Sequence, residues 1–321
     1  MKTHYTEDPA EAASFLRDGK LVVFPTETVY GLGANALDDA AVSQIYDAKQ
    51  RPDSNPLIVH LASIKEALRV ALEIPPSAQL LMEAFFPGPL TLVLQRHPSV
   101  PKIVTGGLDT IAVRIPSHPT ALELLKTAAL PIAAPSANLS GRPSATSWES
   151  AAEDLHDRVH CILCGDAATI GLESTVVDCT DQVPVLLRPG AISLESLTTV
   201  ISEFSSDAIH LHRSPGMLYH HYAPDAKIRL VDASSNVLPE DNAGYIGLGV
   251  PSNVSSFRKS LIAKDIEDYS HRLFEFFRTC DRSGVEVIYC EQVMPVDLGR
   301  ALMDRLEKAA TSTKSGKYDE S

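Results

Sequence analysis

The chain has 321 residues, 44% of them hydrophobic and 21% charged, and carries a formal net charge of −13. That length can bury a large core and suggests two domains. The acidic balance argues against a general RNA or DNA binder, whose partner's phosphates favour basic surfaces, although a few converging Arg and Lys could still hold a small anion.

The opening MKTHYTEDPAE carries acids and no apolar run, so no signal peptide is expected. No run of about 18 uncharged apolar residues suggests a membrane span, and a cytoplasmic location is the expectation. Residues 10–20 read as an amphipathic helix ending at Gly19. A buried strand over 21–24 follows, then a turn rich in Thr and Gly, a helix, and another buried strand over 57–61. Lys49-x-Arg51-Pro52 closes that helix, where two cations could simply complement the helix dipole.

Helices are predicted over 64–72 and 78–86, and the turn Pro87-Gly88-Pro89 leads into a strand over 91–95. Residues 111–115 alternate: Ile111, Val113 and Ile115 face one side, Ala112 and Arg114 the other. A helix over 120–129 precedes the short apolar run 131–135. Thr146 and Glu149 fit a capping box for the helix that follows. Strands are expected over 161–164, 175–179 and 185–188, with a helix after Ser193. Interleaved strands and helices predict an open, twisted α/β sheet domain spanning 1–205.

Residues 206–226 change character, with two prolines and no helical or strand period. Their four His, two Tyr and one Met are too bulky for a flexible spacer, so the segment reads as an ordered linker on a surface. Beyond it, strands over 227–231, 244–249 and 285–290 and helices over 265–281 and 298–310 predict a smaller Rossmann-like α/β domain, 227–311. The tail, 312–321, reads as disordered.

The chemistry-bearing groups are sparse. The chain holds five Cys and eleven His. Cys161-x-x-Cys164 lies in an apolar strand-like run, where a spacing of three puts the thiols on opposite faces, and no second pair completes a zinc site. His210-x-His212 and His220-His221 are close in sequence but lack a matching acidic or Cys partner, so no metal site is expected. There is no phosphate-binding G-x-x-x-x-G-K-[ST], and Gly31-x-Gly33 lacks the third glycine of a dinucleotide fingerprint. What recurs is polar residues at strand carboxyl ends, the edge where open α/β sheets bind ligands. These are Thr26, Thr28, Ser136, Asn138 and Arg188, joined by Arg114. Each alone has an ordinary role in a turn or on a solvated face; six on one edge are harder to explain that way.

PTETVYGLG, Lys49-x-Arg51-Pro, Ser136-x-Asn138 with SGRPSAT, AVRIP, and GLESTVVD with RPG resemble the YrdC-domain proteins. SPGM…HYAP and the later LGRALMDRLEKAA resemble their long, two-domain form, the threonylcarbamoyl-AMP synthases. The resemblance implies a YrdC-like sheet with helices around a large cavity. It also implies synthesis of L-threonylcarbamoyladenylate from ATP, L-threonine and bicarbonate with release of pyrophosphate, as a nucleotidyltransferase. The product would supply tRNA modification at adenosine 37 of tRNAs reading ANN codons, through transfer proteins. By the family's pattern, Lys49, Arg51, Ser136 and Asn138 form the catalytic set. Asn55, Thr110, Ser144, Thr146, Arg188 and Tyr222 would join Lys49, Arg51 and Asn138 around ATP. Thr28, His60, Arg114, Ser136 and Ser174 would hold threonine. Mg2+ would arrive with ATP, since no carboxylate cage is visible. The linker would fold over the cavity and exclude water from hydrolysable intermediates. One departure is Leu218, where the family often has a basic residue. The competing readings are an RNA-binding module and an enzyme adenylating a different carbamate.

Overall fold

Strands and helices interleave as expected, but they build two separate sheets. In the computed structural model, described over residues 1–205, 222–232 and 239–311, the first sheet has ten strands. They are β1 (His4–Thr6), β2 (Val22–Phe24), β3 (Gly31–Asn35), β4 (Ile58–His60), β5 (Leu90–Gln95), β6 (Thr110–Arg114), β7 (Ile132–Ala133), β8 (Cys161–Leu163), β9 (Thr175–Asp178) and β10 (Val185–Arg188). Their order is β1-β8-β2-β3-β7-β4-β6-β5-β9-β10, and β1 does not pair with β10, so the sheet is open. Pairing is mixed: β4 with β6 and β5 with β9 are parallel, while β2 with β3 and β5 with β6 are antiparallel.

Helices α1 (Pro9–Arg17), α2 (Asp39–Lys49), α3 (Pro76–Phe85), α4 (Pro119–Ala128), α5 (Trp148–Leu155) and α6 (Leu194–Thr198) accompany this sheet. Local chemistry sets their ends. Asp8 accepts from Ala10 N at 2.8 Å with Pro9 in the first turn of α1, and Asp38 accepts from Ala40 N and Ala41 N to start α2. Gln50 leaves α2 in the left-handed region at φ 53, and Pro52 prevents the helix resuming.

The second sheet is all parallel, in the order β11 (Lys227–Val231), β14 (Val287–Glu291), β12 (Ala243–Gly247), β13 (Lys259–Ile262). Two helices accompany it, α7 (Ile266–Arg282) and α8 (Leu298–Thr311). Their apolar stripes make a core that also takes in Val29 and Leu172 of the first unit. Phe274, Phe277, Leu302 and Leu306 are all fully buried in it. Cutting one such leucine to alanine costs about 2–5 kcal/mol, so the two units share a substantial apolar contact.

Several local expectations change. The Gly-rich stretch after β2 is a strand, β3, not a turn. Residues Ile64–Arg69 form a 3-10 turn rather than an α-helix. The cap of α5 is Ser147, which accepts from Ser150 N at 3.2 Å, one residue after the Thr146 expected. The edge strands β1 and β13 carry too few buried residues to show an apolar pattern. The 206–221 part of the linker, including Leu218, and the 312–321 tail lie outside the described residues.

Candidate active site

The parallel register of β4 and β6 sets His60 directly beside Arg114. Both are almost fully buried, on the face opposite the apolar Ile111, Val113 and Ile115. The alternation in β6 is therefore as expected, with Arg114 turned into a cleft. Thr28, Arg51, Ser136, Ser174, Arg188 and Tyr222 line the same cleft with His60 and Arg114.

One wall is built around Arg114. Its Nη1 donates to Thr28 Oγ1 at 2.8 Å and its Nε to Gly88 O at 3.3 Å, while Nη2 pairs with Glu27 Oε1 at 2.6 Å. A guanidinium carries five N–H groups, so these three contacts leave two to meet a ligand carboxylate. Burial works against ionisation of Glu27, but the Arg114 cation outweighs it and holds the carboxyl below its ordinary range. Thr26 fixes the turn: its hydroxyl donates to Val29 O at 2.6 Å and lies 2.9 Å from Thr28 Oγ1. Burial, then Arg114, lower the His60 imidazole to about 3, which keeps the ring neutral near pH 7.

A second group of lining residues centres on Arg188 and Arg51. Arg188 donates from Nε to Ser174 O at 3.1 Å and from Nη2 to Ser174 Oγ at 3.2 Å, and Thr91 Oγ1 lies 2.7 Å from that same hydroxyl. The Arg188-Pro189-Gly190 turn packs so close to the 173–175 segment that a Cβ on Gly190 would sit 2.2 Å from Thr175 N. Arg51 is half-buried and donates from Nη2 to Pro56 O at 3.0 Å. Tyr222 is buried, and burial, then Glu173, push its hydroxyl up to about 12. It stays protonated and can donate.

The remaining expected residues do not line the cleft but stand behind its walls. Lys49, 1% exposed, donates to Ser136 O at 2.5 Å and also to Asn138 O, tying the end of α2 to the loop after β7. Burial, then Arg51, bring its ammonium well below the ordinary lysine range. Asn138 donates from Nδ2 to Leu139 O and Arg142 O, while its buried Oδ1 has no partner among the described residues. Ser144 donates to Glu173 Oε1 at 2.5 Å. Thr146 accepts from Ala168 N through its carbonyl at 2.8 Å. Asn55 is buried beside Pro56, and Thr110 opens β6 opposite Gln95.

The sequence reading missed Glu27, Glu173 and Thr91. Glu27 and Glu173 each immediately precede a residue that was expected, Thr28 and Ser174, which is the only local signal they give. Among the described residues no group of three or more His, Cys, Asp or Glu could hold a metal ion. The two carboxylates at the cleft are already engaged, Glu27 by Arg114 and Glu173 by Ser144 and Arg305. No helix among the described residues is long and apolar enough to cross a membrane.

An open mixed sheet whose buried cations, hydroxyls and neutral His60 converge on one cleft is a YrdC-type domain. Residues 14–190 match the Sua5/YciO/YrdC family, described as "Telomere recombination", and residues 192–311 match the family described as "Threonylcarbamoyl-AMP synthase, C-terminal domain". The chain belongs to this family in its long, two-domain form. Threonylcarbamoyl-AMP synthase of Pyrococcus abyssi is 45% identical over 318 residues, which is 93% of each chain. The Bacillus subtilis enzyme of the same name is 42% identical over 325 residues, covering 95% of this chain and 94% of its own. The crystal structure of P. abyssi Sua5 complexed with L-threonine matches with a TM-score of 0.87 at 43% identity, covering 97% of both chains.

Proposed function

We propose that this chain is an L-threonylcarbamoyladenylate synthase, condensing L-threonine, bicarbonate and ATP and releasing pyrophosphate. The product would feed threonylcarbamoyl transfer to adenosine 37 of ANN-decoding tRNAs. One observation carries the reading: Arg114, Thr28, His60 and Ser136 line the same single cleft as Arg51, Ser174, Arg188 and Tyr222. Among them the Arg114, Thr28 and His60 group suits a small amino acid, and the cations Arg51 and Arg188 with Tyr222 suit a triphosphate. The domain plan that goes with it is a catalytic unit over 1–205, a linker over 206–226 and a Rossmann-like unit over 227–311.

Arg114 takes the threonine carboxylate through its two remaining N–H groups, and Thr28 holds the guanidinium in place for it. His60, Ser136 and Ser174 meet the amine and hydroxyl. The amine and bicarbonate form a carbamate with loss of water. A carbamate oxygen then attacks the α-phosphorus of ATP, and pyrophosphate leaves. Arg51 and Arg188 stabilise the charge that develops on the phosphates, and Lys49 and Asn138 hold the loop that shapes the site. Tyr222 completes the nucleotide side, while Asn55, Thr110, Ser144 and Thr146 support it from outside the lining, Ser144 by bonding Glu173. Mg2+ would enter with ATP rather than on a protein carboxylate, because Glu27 and Glu173 are already paired. The product is small and mixed-anhydride in character, so it passes to transfer proteins without a stable tRNA complex here.

The test is pyrophosphate release in the absence of tRNA. Release that requires both L-threonine and bicarbonate supports the reading. Release that requires tRNA supports an RNA-dependent activity instead. Release without threonine but with carbamoyl phosphate marks an enzyme adenylating a different carbamate.

A further inference from the structure

Glu173 stands between Arg188 and a cation from outside the first unit. Its Oε2 accepts from Arg305 Nε of α8 at 2.9 Å, and its Oε1 from Ser144. Arg305 is fully buried, although it belongs to the helix farthest along the chain among the described residues. Its Nη1 donates to Pro189 O at 3.0 Å and its Nη2 lies 3.4 Å from Glu173 O. Its guanidinium also sits over the Tyr222 ring, 5.5 Å from the centroid, while that ring stacks on Phe274 of α7 at 5.4 Å. A single side chain thus touches the segment before Ser174, the turn after Arg188, and Tyr222.

The close approach is built in. Gly171, at φ +82, faces the backbone of α7, and a Cβ there would lie 2.5 Å from His271 Cα. A buried ion pair contributes little net stability because desolvation offsets most of the attraction, but it fixes geometry when every lone pair and N–H is used. A second buried cross-unit pair, Arg278 with Asp154, meets the loop after Asn138 instead. Arg300 of α8 meets Glu195 at 3.2 Å with both side chains substantially exposed, away from the cleft.

We infer that Arg305 is a positioning residue for the nucleotide half of the cleft, so that the second unit completes the active site. It acts through Glu173, Pro189 and Tyr222 and does not line the cleft itself. The inference rests on the proposed function, which places Arg188 and Tyr222 against ATP. It gives the second unit a definite role, because docking α8 aligns the 173–174 segment, the Arg188 turn and the end of the linker together.

The experiment compares the full-length protein with Arg305→Lys, Arg305→Met and, as a control on docking alone, Arg300→Gln. Direct ATP binding is measured by equilibrium dialysis, and KM for ATP and for L-threonine is determined separately, with melting temperature and small-angle scattering as folding controls. Arg305→Lys keeps a charge beside Glu173 but cannot fork between its carboxylate and Pro189 O. Both Arg305 variants should raise KM for ATP by about tenfold or more, the scale of losing charge-assisted hydrogen bonds, with KM for threonine changed less than about twofold. Arg300→Gln should change neither. Where Arg305→Met does not fold, Arg305→Lys decides. Folded Arg305 variants with KM for ATP within about twofold of wild type overturn the inference. So does a parallel loss for both substrates matched by Arg300→Gln. Wild-type protein that fails to bind ATP at all overturns the proposed function itself, an outcome readily told apart.

Discussion

His60 and Arg114 are register partners on adjacent parallel strands, and the cation of one helps keep the ring of the other neutral. The folded state therefore favours the neutral imidazole. The unfolded chain binds that proton near pH 6.5, whereas the folded chain resists it until about 3. Between those values the unfolded state holds more protons, so stability is fully present above about 6.5 and falls as the solution is acidified. Urea denaturation of wild type at pH 6.5 and 5 should show a loss on the order of 1–2 kcal/mol from this group, and His60→Gln should show a smaller loss. Identical pH slopes in the two proteins would contradict the assignment.

Arg114 is held by Thr28, Gly88 and Glu27 with two N–H groups left over. A lysine there keeps charge but cannot make the fork, so Arg114→Lys should raise KM for L-threonine by about tenfold or more. KM for ATP should stay near wild type. Initial-rate kinetics with each substrate varied in turn would separate the two, and an ATP-selective effect would move Arg114 off the threonine side.

Lys49 and Arg51 are neighbours in sequence with different surroundings. Lys49 is fully buried and bonded to two carbonyls, whereas Arg51 is half-buried and lines the cleft. Arg51→Ala should reduce turnover by about 100-fold or more, the usual scale of losing a preorganised charge stabiliser, with little change in melting temperature. Lys49→Ala should reduce turnover similarly and also lower the melting temperature, because two buried carbonyls lose their donor. Unchanged turnover in both variants would remove the pair from catalysis.

Asp154 supports the loop after Asn138. It accepts from Leu139 N at 3.1 Å and pairs with Arg142 and, across the units, with the buried Arg278. Asp154→Ala removes that cation's buried carboxylate, leaving it Pro143 O and the more distant Glu153 at 3.5 Å, and should destabilise the protein by about 3 kcal/mol in urea titration. A loss below about 1 kcal/mol would mean that water or another acid replaces it.

Much of the cleft was legible because strand period and helix ends are local. Alternation in 111–115 was enough to turn Arg114 away from the apolar face, and the Pro after Arg51 marked the end of α2 correctly. Strand β3 was not legible: its glycines read as a turn, yet they pack against Phe24 and Ile132, residues of neighbouring strands. The Glu173–Arg305 pair spans 132 residues, so no spacing could announce it. Lys49 shows the opposite limit. Its importance could be read from the chain, but its pointing at Ser136 O and Asn138 O depends on where the loop after β7 lands. The expected cap at Thr146 failed by one residue because Ser147 offers the same hydroxyl.

The most direct measurement is mass spectrometry of the product formed from ATP, 13C-bicarbonate and labelled L-threonine without tRNA. The expected product is one species containing threonine, AMP and a single 13C-labelled carbonyl carbon. A threonine–AMP adduct without the bicarbonate carbon, or no adduct until tRNA is added, would contradict the assignment of this cleft to threonylcarbamoyl-adenylate synthesis.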